Sequence, residues 1–261
     1  MFQSKVLTKL RAGKPALCTN ASAGPSPMVC GLAAKIGFDA VWIDAEHRGF
    51  SEDQIAAMIL AVRLAGADPL VRVRKESPAS YFRPLEMGAA GVMVPHIKSP
   101  EDAEVAVRNF RFAPQGLRGI DGVGVDADYG LAAVDEHLSA VNEQSWLLLQ
   151  IEDREAIDCI DQIAAVKGFD ILLVGSGDMA QSLGVPGQFS HAKLIDAIAL
   201  VKQAAVQHDK TFGQIVTLEA AKDALQSGAR FICIGADLPL LTAGWRHIHD
   251  DFHTVTSEMG F

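Results

Sequence analysis

The sequence lacks the features that would place it in a membrane, in a secretory route or on a nucleic acid. Its uninterrupted apolar runs are far shorter than the ~20 residues that a transmembrane helix needs. The stretch 1–13 is polar and has no apolar signal-peptide core. Basic residues are outnumbered, with 23 Lys and Arg against 32 Asp and Glu, a net charge of −9. We therefore expect a soluble cytoplasmic protein with neither a nucleic-acid nor a membrane partner.

Cysteine is also scarce, and its pattern argues against a disulfide framework. None of the four cysteines forms a Cys-x-x-Cys pair, and Cys18 and Cys233 lie inside apolar runs. Small buried thiols of this kind are typical of a reducing compartment. We predict that the cysteines are core residues.

Apolar residues, by contrast, are abundant. The chain of 261 residues is 49% hydrophobic and 21% charged, which suits one large folded domain spanning 1–261. Eight short apolar runs recur, each followed by a polar or glycine-containing turn. They occupy residues 16–19, 40–43, 70–73, 91–94, 146–151, 171–174, 212–216 and 231–234. Continuous apolar character predicts strands that are buried on both faces, as in a parallel sheet.

Helical patterns fill the gaps between these runs. Apolar residues recur at helical spacing in several of them, for example at Ile55, Met58, Ile59 and Val62. Eight strands that alternate with helices predict an α/β fold, a (β/α)8 TIM barrel, and the count of eight favours it over an open doubly wound sheet. The segment 111–145 has little helical periodicity before residue 134, and such segments are often lids or interface loops.

Carboxylates follow two neighbouring strands at the end where a barrel places its chemistry. Glu152 comes after the fifth strand, and Asp178 comes after the sixth. Two carboxylates completed by water or substrate oxygens suit a hard ion such as Mg²⁺ or Mn²⁺. The alternative is that Asp178 caps the following helix and Glu152 forms a surface pair.

Two nitrogen-containing side chains are further candidates. His47 is preceded by Asp44 and Glu46, and a histidine beside a carboxylate can act as a general base, although it can equally be an exposed loop residue. Arg72 interrupts a buried apolar strand, so its guanidinium needs an anionic partner from the substrate or the protein. Arg74 shares the same strand face and stays an alternative.

Three other features carry weaker signals. His96, after the fourth strand, is a less favoured histidine candidate. The loop Gly175-Ser176-Gly177 has backbone N–H groups that could approach an anion, as well as the composition of a plain turn. No lysine lies in the sixth strand, so a Schiff-base aldolase of the usual barrel kind would lack its nucleophile.

Taken together in order, these residues resemble the HpcH/HpaI aldolases, which are class II, pyruvate-dependent enzymes. The resemblance runs from about residue 5 to residue 255. It rests on the second-strand motif GFDAVWIDAEH at 37–47, and on LVRV at 70–73, GAAGVMVP at 88–95, RFAPQGLRG at 111–119, QIEDREA at 150–156 and VGSGD at 174–178. One departure is Ser176, which stands where the family usually has proline, with Gly177 where alanine is common.

The resemblance implies a metal site and a substrate site. Glu152 and Asp178 would bind a divalent ion, Mg²⁺, Mn²⁺ or Co²⁺. Arg72 would lie near the carboxylate or the oxo group of pyruvate. The backbone amides around Gly177 and Asp178 would bind that carboxylate, and Gln150 would line the site.

The resemblance also implies the reaction and the assembly. His47, oriented by Asp44, would manage the proton while the enzyme cleaves or forms a 4-hydroxy-2-oxo acid from an aldehyde and pyruvate or an analogue such as hydroxypyruvate. A homohexamer, a trimer of dimers that exchange their last helix, is implied. The alternatives are a CoA-thioester lyase like the citrate lyase β subunit and a non-catalytic ligand-binding barrel.

Overall fold

The computed structural model describes residues 3–259, and in this range eight parallel strands close into a barrel in the order β1 to β8. The strands are β1 Ala16–Asn20, β2 Ala40–Asp44, β3 Asp68–Arg72, β4 Gly91–Val94, β5 Trp146–Ile151, β6 Ile171–Val174, β7 Thr211–Val216 and β8 Phe231–Ala236. The predicted (β/α)8 barrel is confirmed, and the open sheet is wrong. The predicted domain bounds, 1–261, include residues outside the described range and stay a prediction.

Twelve α-helices connect and flank the strands within residues 3–259. They are α1 Lys5–Arg11, α2 Pro27–Ile36, α3 Glu52–Ala65, α4 Arg83–Glu86, α5 Pro100–Phe110, α6 Val134–Gln144, α7 Arg154–Asp158, α8 Ile160–Ala165, α9 Ser176–Ser182, α10 Ala192–Gln207, α11 Ala221–Gln226 and α12 Asp237–Glu258. Short 3-10 helices cover Pro78–Tyr81 and Val125–Gly130. In the described part of the chain, no helix is long and apolar enough to cross a membrane.

The local sequence explains where α3 begins and ends. Ser51 and Gln54 form a reciprocal capping box at its start. Gly66 ends the helix in the left-handed conformation, with φ 86°, which glycine adopts without steric cost. The predicted face, which includes Ile55 and Val62, is buried against the barrel, and each such side chain contributes about 1.5–3 kcal/mol.

Strand β3 begins earlier than predicted because proline hides its start. Asp68 and Pro69 pair with Ala40 and Val41 of β2, although proline has no N–H to donate. The Pro69 carbonyl nevertheless accepts a hydrogen bond of 2.9 Å from the Ala90 N–H. A parallel ladder therefore tolerates proline where only its carbonyl is used.

Two hydrophobic cores explain the long apolar runs. One core lies between the strands and the helices, and the other fills the barrel interior with residues such as Leu70, Trp146 and Phe231. Alternate residues of each strand serve the two cores.

Three of the four cysteines are core residues, as predicted. Cys18 and Cys233 lie opposite each other on β1 and β8, buried and without a disulfide, and Cys30 is buried as well. Cys159 is partly exposed, so the prediction is wrong for this residue.

The N-terminal end of the barrel is closed by α1. Buried Asp68 accepts hydrogen bonds from the Ser4 hydroxyl, from the backbone N–H groups of Lys5 and Val6, and from the Trp146 indole. These contacts satisfy a buried carboxylate and fix α1 across the opening. Only the C-terminal end of the barrel is left for a binding site.

The segment 111–145 is anchored at the N-terminal end as well. Buried Arg111 donates to the carbonyls of Gly168 and Ser145 and to the carboxylate of Asp170, close to the starts of β5 and β6. These contacts lie opposite the end where a barrel active site opens, so they do not support a lid.

Helix α12 contributes nothing to the core of its own chain. None of its residues is buried, and Trp245 is 66% exposed. Leu241, Ile248 and Phe252, which share its apolar stripe, are exposed too. The stripe predicted from the sequence therefore exists, but it does not cover the barrel.

Candidate active site

The C-terminal end of the barrel opens into a cavity of about 740 Å³. His47, Arg72, Gln150, Gly177 and Asp178 all line it, which brings five of the predicted site residues together. They come from the loop after β2, from β3 and β5, and from the start of α9, so closure of the barrel is what makes them neighbours.

Arg72 is held by a buried carboxylate on the adjacent strand. Asp44 and Arg72 are directly opposed in the β2–β3 register. The Arg72 Nε lies 3.0 Å from Asp44 Oδ1 and Nη2 lies 2.7 Å from Oδ2, a bidentate pair. Burial alone would raise the pKa of Asp44, but the hydrogen bonds and charge of Arg72 lower it overall. Glu46 adds a second carboxylate, with Oε2 3.1 Å from Arg72 Nε.

The expectation that Asp44 orients the His47 ring is corrected by these contacts. Asp44 Oδ1 accepts the backbone N–H groups of Glu46 at 3.1 Å and of His47 at 3.3 Å. The imidazole lies beside Glu46 instead, with its Nε2 3.8 Å from Glu46 Oε2. Asp44 thus shapes the turn and positions Arg72, because its carboxylate is fully engaged there. The His47 side chain is 54% exposed.

Glu152 is a buried carboxylate, only 1% exposed, so the surface pair considered for it is wrong. Its Oε1 accepts the His96 N–H at 2.9 Å, and its Oε2 accepts Gln150 Nε2 at 2.6 Å. Burial raises the pKa of Glu152 to about 7, and the negative charge of Asp178 adds to the rise. A nearby cation would relieve this destabilised charge.

Asp178 lies in the first turn of α9 and lines the cavity. The N-cap of α9 is Gly175, and no side-chain hydrogen bond caps this helix in the described structure, so the capping alternative for Asp178 is not supported. The amides of Gly177 and Asp178 belong to the same first turn, where N–H groups have no partner within the helix.

Gly175 has a role that the sequence did not reveal. A Cβ atom there would overlap Glu152 Oε2 and would lie 2.7 Å from Gln150 Nε2. Only glycine lets the end of β6 approach these two side chains, so it is needed for close packing as well as for the turn.

The donor set fits a hard divalent ion. Among residues 3–259, no group of three or more His, Cys, Asp or Glu side chains is arranged as a metal site. Glu152 and Asp178 nevertheless supply two carboxylates close enough for one to raise the pKa of the other. Beside them, Gln150 Oε1 is buried without a hydrogen-bond partner in the described structure. Two carboxylates completed by water and substrate oxygens are an ordinary site for such ions.

His96 is more closely involved than the sequence indicated. It has a left-handed backbone, with φ 52°, and its Nδ1 lies 2.9 Å from Asp153 Oδ2. Its Nε2 lies 3.6 Å from Glu46 Oε1. Burial lowers the pKa of His96, but the hydrogen bond to Asp153 and the nearby Glu152 raise it overall. These partners lie in the segments that follow β2 and β5, so no local pattern identifies them.

Trp42 was missed as a site residue. Its position in an apolar strand indicated core packing, whereas the structure places it in the cavity wall, with Arg72 Cζ 4.8 Å from the centre of its ring. Trp42 and Asp44 are two residues apart and therefore share a strand face. The spacing of two residues from Asp44 was therefore the sequence signal that could have identified Trp42 as a site residue.

Known proteins match this chain over nearly its whole length. A family model described as HpcH/HpaI aldolase/citrate lyase matches residues 22–243. A 5-keto-4-deoxy-D-glucarate aldolase of Escherichia coli is 31% identical over 255 residues, 97% of this chain and 98% of that protein.

Solved structures agree with this assignment. An HpcH/HpaI aldolase from Desulfitobacterium hafniense has a TM-score of 0.88 and 28% identity, covering 96% of each chain. The citrate synthase SbnG has a TM-score of 0.87 and 27% identity, covering 99% of this chain and 100% of that one. The expected resemblance is confirmed, and a non-catalytic barrel is not what these relatives indicate. The chain belongs to the HpcH/HpaI aldolase/citrate lyase family and, like its relatives that are named aldolases, is an enzyme of the lyase type.

Proposed function

We propose that the chain is a divalent-metal-dependent aldolase that cleaves or forms 4-hydroxy-2-oxo acids. The products of cleavage are an aldehyde and pyruvate or hydroxypyruvate. The observation that carries this proposal is Arg72, held by Asp44 at the wall of a cavity that also contains Asp178 and His47. The similarity to an aldolase that is named for a keto-deoxy sugar acid supports it.

Arg72 and the α9 amides account for binding of the 2-oxo acid. Arg72 presents to the cavity the part of its guanidinium that Asp44 does not use, and it binds the carboxylate or the oxo group. The amides of Gly177 and Asp178 bind the carboxylate, and Gln150 lies against the substrate. Burial of the Arg72–Asp44 pair keeps the guanidinium in place before substrate arrives.

Glu152 and Asp178 would hold the divalent ion, Mg²⁺, Mn²⁺ or Co²⁺. When bound, the ion supplies Lewis acidity that favours enolate formation from the 2-oxo acid. Each oxygen of the Glu152 carboxylate accepts one hydrogen bond, from the His96 N–H and from Gln150 Nε2. The fold therefore sets the orientation of this carboxylate.

His47 moves the proton. In cleavage, it accepts the proton of the C4 hydroxyl, the C4 oxygen forms the aldehyde carbonyl, and the C3–C4 electron pair becomes the enolate. Arg72 stabilises the negative charge that develops on the oxo oxygen. Protonation at C3 then gives the free 2-oxo acid, and synthesis runs in the reverse direction.

A retro-aldol screen tests this proposal. We expect pyruvate or hydroxypyruvate to be released from at least one member of a panel of 4-hydroxy-2-oxo acids, in a metal-dependent manner. The matched reference is the same panel without enzyme. Absence of product with every panel member, from folded and metal-supplemented protein, would reject the aldolase proposal.

A second candidate is citrate synthesis, which the match to the citrate synthase SbnG favours. The assay is citrate formation from oxaloacetate and acetyl-CoA. Formation of citrate without aldol cleavage would favour citrate synthesis over the aldolase proposal. It would also support the alternative of an enzyme that acts on a CoA thioester.

Removal of metal is expected to abolish activity, and Mg²⁺, Mn²⁺ or Co²⁺ should restore it. Glu152→Gln and Asp178→Asn should each weaken metal binding in calorimetry, because each replaces a charged ligand by a neutral one. Glu155→Gln is the matched control, since Glu155 is an exposed carboxylate nearby in sequence. Full activity of protein verified as metal-free would contradict the prediction.

We also propose that a second copy of the chain covers the exposed stripe of α12. A groove of about 410 Å³ lies between α2 and α12, and its lining includes Leu32, Ile36, Trp245 and Ile248. All four side chains are more than half exposed, an apolar surface that isolated proteins rarely present. If two copies exchanged α12 reciprocally, the apolar surface of each copy would be covered by the α12 helix of the other. Three such dimers would make the hexamer that the resemblance implies.

Light scattering is expected to show a stable homo-oligomer with the mass of a hexamer. Trp245→Glu should reduce the mass by placing a charge in the exchanged stripe, while Arg246→Glu on the same exposed helix serves as control. A monomer of wild-type protein at working concentrations would refute the proposed exchange.

A further inference from the structure

The imidazole of His96 is a side chain at the barrel mouth that the proposed mechanism does not use. His96 lies in the loop after β4, and its backbone N–H donates to Glu152 Oε1 at 2.9 Å. Its left-handed backbone, with φ 52°, is a conformation that histidine adopts more readily than most residues. The backbone thus has its own partner, and the contacts of the ring need a separate explanation.

The ring lies between two carboxylates that are far apart in the sequence. Its Nδ1 lies 2.9 Å from Asp153 Oδ2, after β5, and its Nε2 lies 3.6 Å from Glu46 Oε1, after β2. An imidazole can present one nitrogen to each of two oxygens in this way. Both carboxylate side chains are only 14% exposed, so water screens these contacts less than it screens a surface ion pair.

Glu46 connects this ring to the groups that carry the chemistry. Its second oxygen, Oε2, lies 3.1 Å from Arg72 Nε and 3.8 Å from His47 Nε2. Glu46 Oε2 is buried and has no partner with hydrogen-bond geometry among residues 3–259. Electrostatic attraction to its neighbours therefore holds the Glu46 carboxylate, and such attraction is less directional than a hydrogen bond.

Two of the three neighbours of Glu46 are fixed, and the third is not. Arg72 is held on the Oε2 side by its bidentate pair with another buried carboxylate. His96 is held on the Oε1 side by Asp153, which is the N-cap residue of α7. The His47 side chain is 54% exposed, so packing does little to fix it. The orientation of Glu46 therefore decides where the imidazole of His47 meets its carboxylate.

We propose that His96 is a positioning residue for proton transfer: tied to Asp153, it holds Glu46 in the orientation that places the imidazole of His47. His96 is not among the described residues that line the cavity, so it acts through Glu46 and not on the substrate. The inference rests on the proposed aldolase function and deepens it. Cleavage needs a base for the C4 hydroxyl, whereas pyruvate methyl exchange does not, so loss of His96 should affect cleavage more.

Two replacements separate the two contacts of the ring. His96→Asn keeps an amide nitrogen where Nδ1 meets Asp153 and tolerates the left-handed backbone, but it is too short to reach Glu46. We expect its retro-aldol kcat to fall about 10-fold, while methyl exchange and metal affinity stay near wild type. His96→Gln places its amide nitrogen where Nε2 faces Glu46 and should recover most of the loss. Thermal melts of both variants identify lost stability.

His208→Asn is the matched control, because His208 Nε2 forms a comparable pair with Asp161 Oδ1 at 2.8 Å, between α8 and the end of α10. It should leave both rates unchanged. Normal cleavage in His96→Asn would overturn the inference. Equal losses of cleavage and methyl exchange, with weaker metal binding, would also overturn it, because His96 would then act through Glu152.

A double-mutant cycle tests whether His96 acts through Glu46. If it does, His96→Asn should cause no further loss of retro-aldol kcat in a Glu46→Gln background, since the carboxylate that it positions is already gone. Losses that multiply as for independent sites would reject the inference.

A spectroscopic test does not depend on the reaction. In protein labelled with ¹³C-histidine, which has eight histidines, His47→Ala assigns the ring signal of His47. This signal should shift in His96→Asn and in Glu46→Gln, and it should stay in place in His208→Asn. An unshifted signal in His96→Asn would reject the inference, whereas wild-type protein without activity on any substrate would reject the proposed function.

Discussion

Replacing Arg72 by lysine is expected to lower kcat/KM for retro-aldol cleavage by about 100-fold or more, the loss typical of removing an oxyanion donor. Arg72 uses Nε and Nη2 for Asp44 and still reaches the cavity with the rest of its guanidinium. A lysine ammonium is a point charge that cannot hold the carboxylate bidentately and bind substrate at the same time. The variant should therefore lose charge stabilisation in the transition state.

Arg74→Lys provides the matched control for this experiment. Arg74 was an alternative from the sequence, but it lies outside the site cavity, and its Nη2 donates to the backbone of Arg48 at 2.9 Å. We expect near-normal kinetics from it. Thermal melts of both variants separate lost stability from lost catalysis, because the Arg72 pair is buried. Near-normal kinetics in Arg72→Lys would make Arg72 a structural ion pair only.

His47→Ala is expected to lower the retro-aldol kcat by roughly 100-fold to 10,000-fold, the range for general acid–base catalysis. The C4 hydroxyl loses its base in this variant. Enolate formation from pyruvate involves no C4 hydroxyl, and Arg72 still stabilises the charge. Pyruvate methyl exchange with deuterated water, followed by NMR, should therefore keep a measurable part of its rate.

Asp44→Asn tests the division of labour that the structure revises. Because Asp44 binds Arg72 and not the imidazole, this variant should lower cleavage and methyl exchange together, and we expect the same of Arg72→Lys. The sequence alone had suggested a milder form of the His47 pattern.

If both rates stay intact in His47→Ala, His47 is an exposed loop residue. If both collapse, His47 also serves the pyruvate protons.

Much of the fold was predictable because strand burial on both faces leaves a strong local signal. All eight apolar runs became strands, and the amphipathic face of α3 was buried as expected. The start of β3 was misjudged because Pro69 obscures it, and proline is normally evidence against a strand. The rule that proline argues against a strand fails here. The pairing of β3 with its neighbouring strands decides which of its backbone N–H and carbonyl groups must form hydrogen bonds.

The candidate site was predictable in its members and less so in their contacts. Strand ends pointed to Glu152 and Asp178, and an arginine inside an apolar strand pointed to Arg72. The sequence could not show that Glu152 is buried or that Asp44 is committed to Arg72. Those facts depend on which strands are adjacent.

The amino-acid sequence by itself determined the barrel, the strand-end carboxylates and the family, since each depends on residue order and on periodicity within one element. Only the tertiary structure decided that a Cβ at Gly175 would meet Glu152, that His96 holds Glu152 through its backbone N–H, and that the Trp42 indole at the cavity wall finds no hydrogen-bond partner among residues 3–259. The physical reason is that the contacts of Glu152 join the segments that follow β4, β5 and β6. Hydrogen bonding and close packing between distant segments are set by closure of the barrel, which no local pattern encodes.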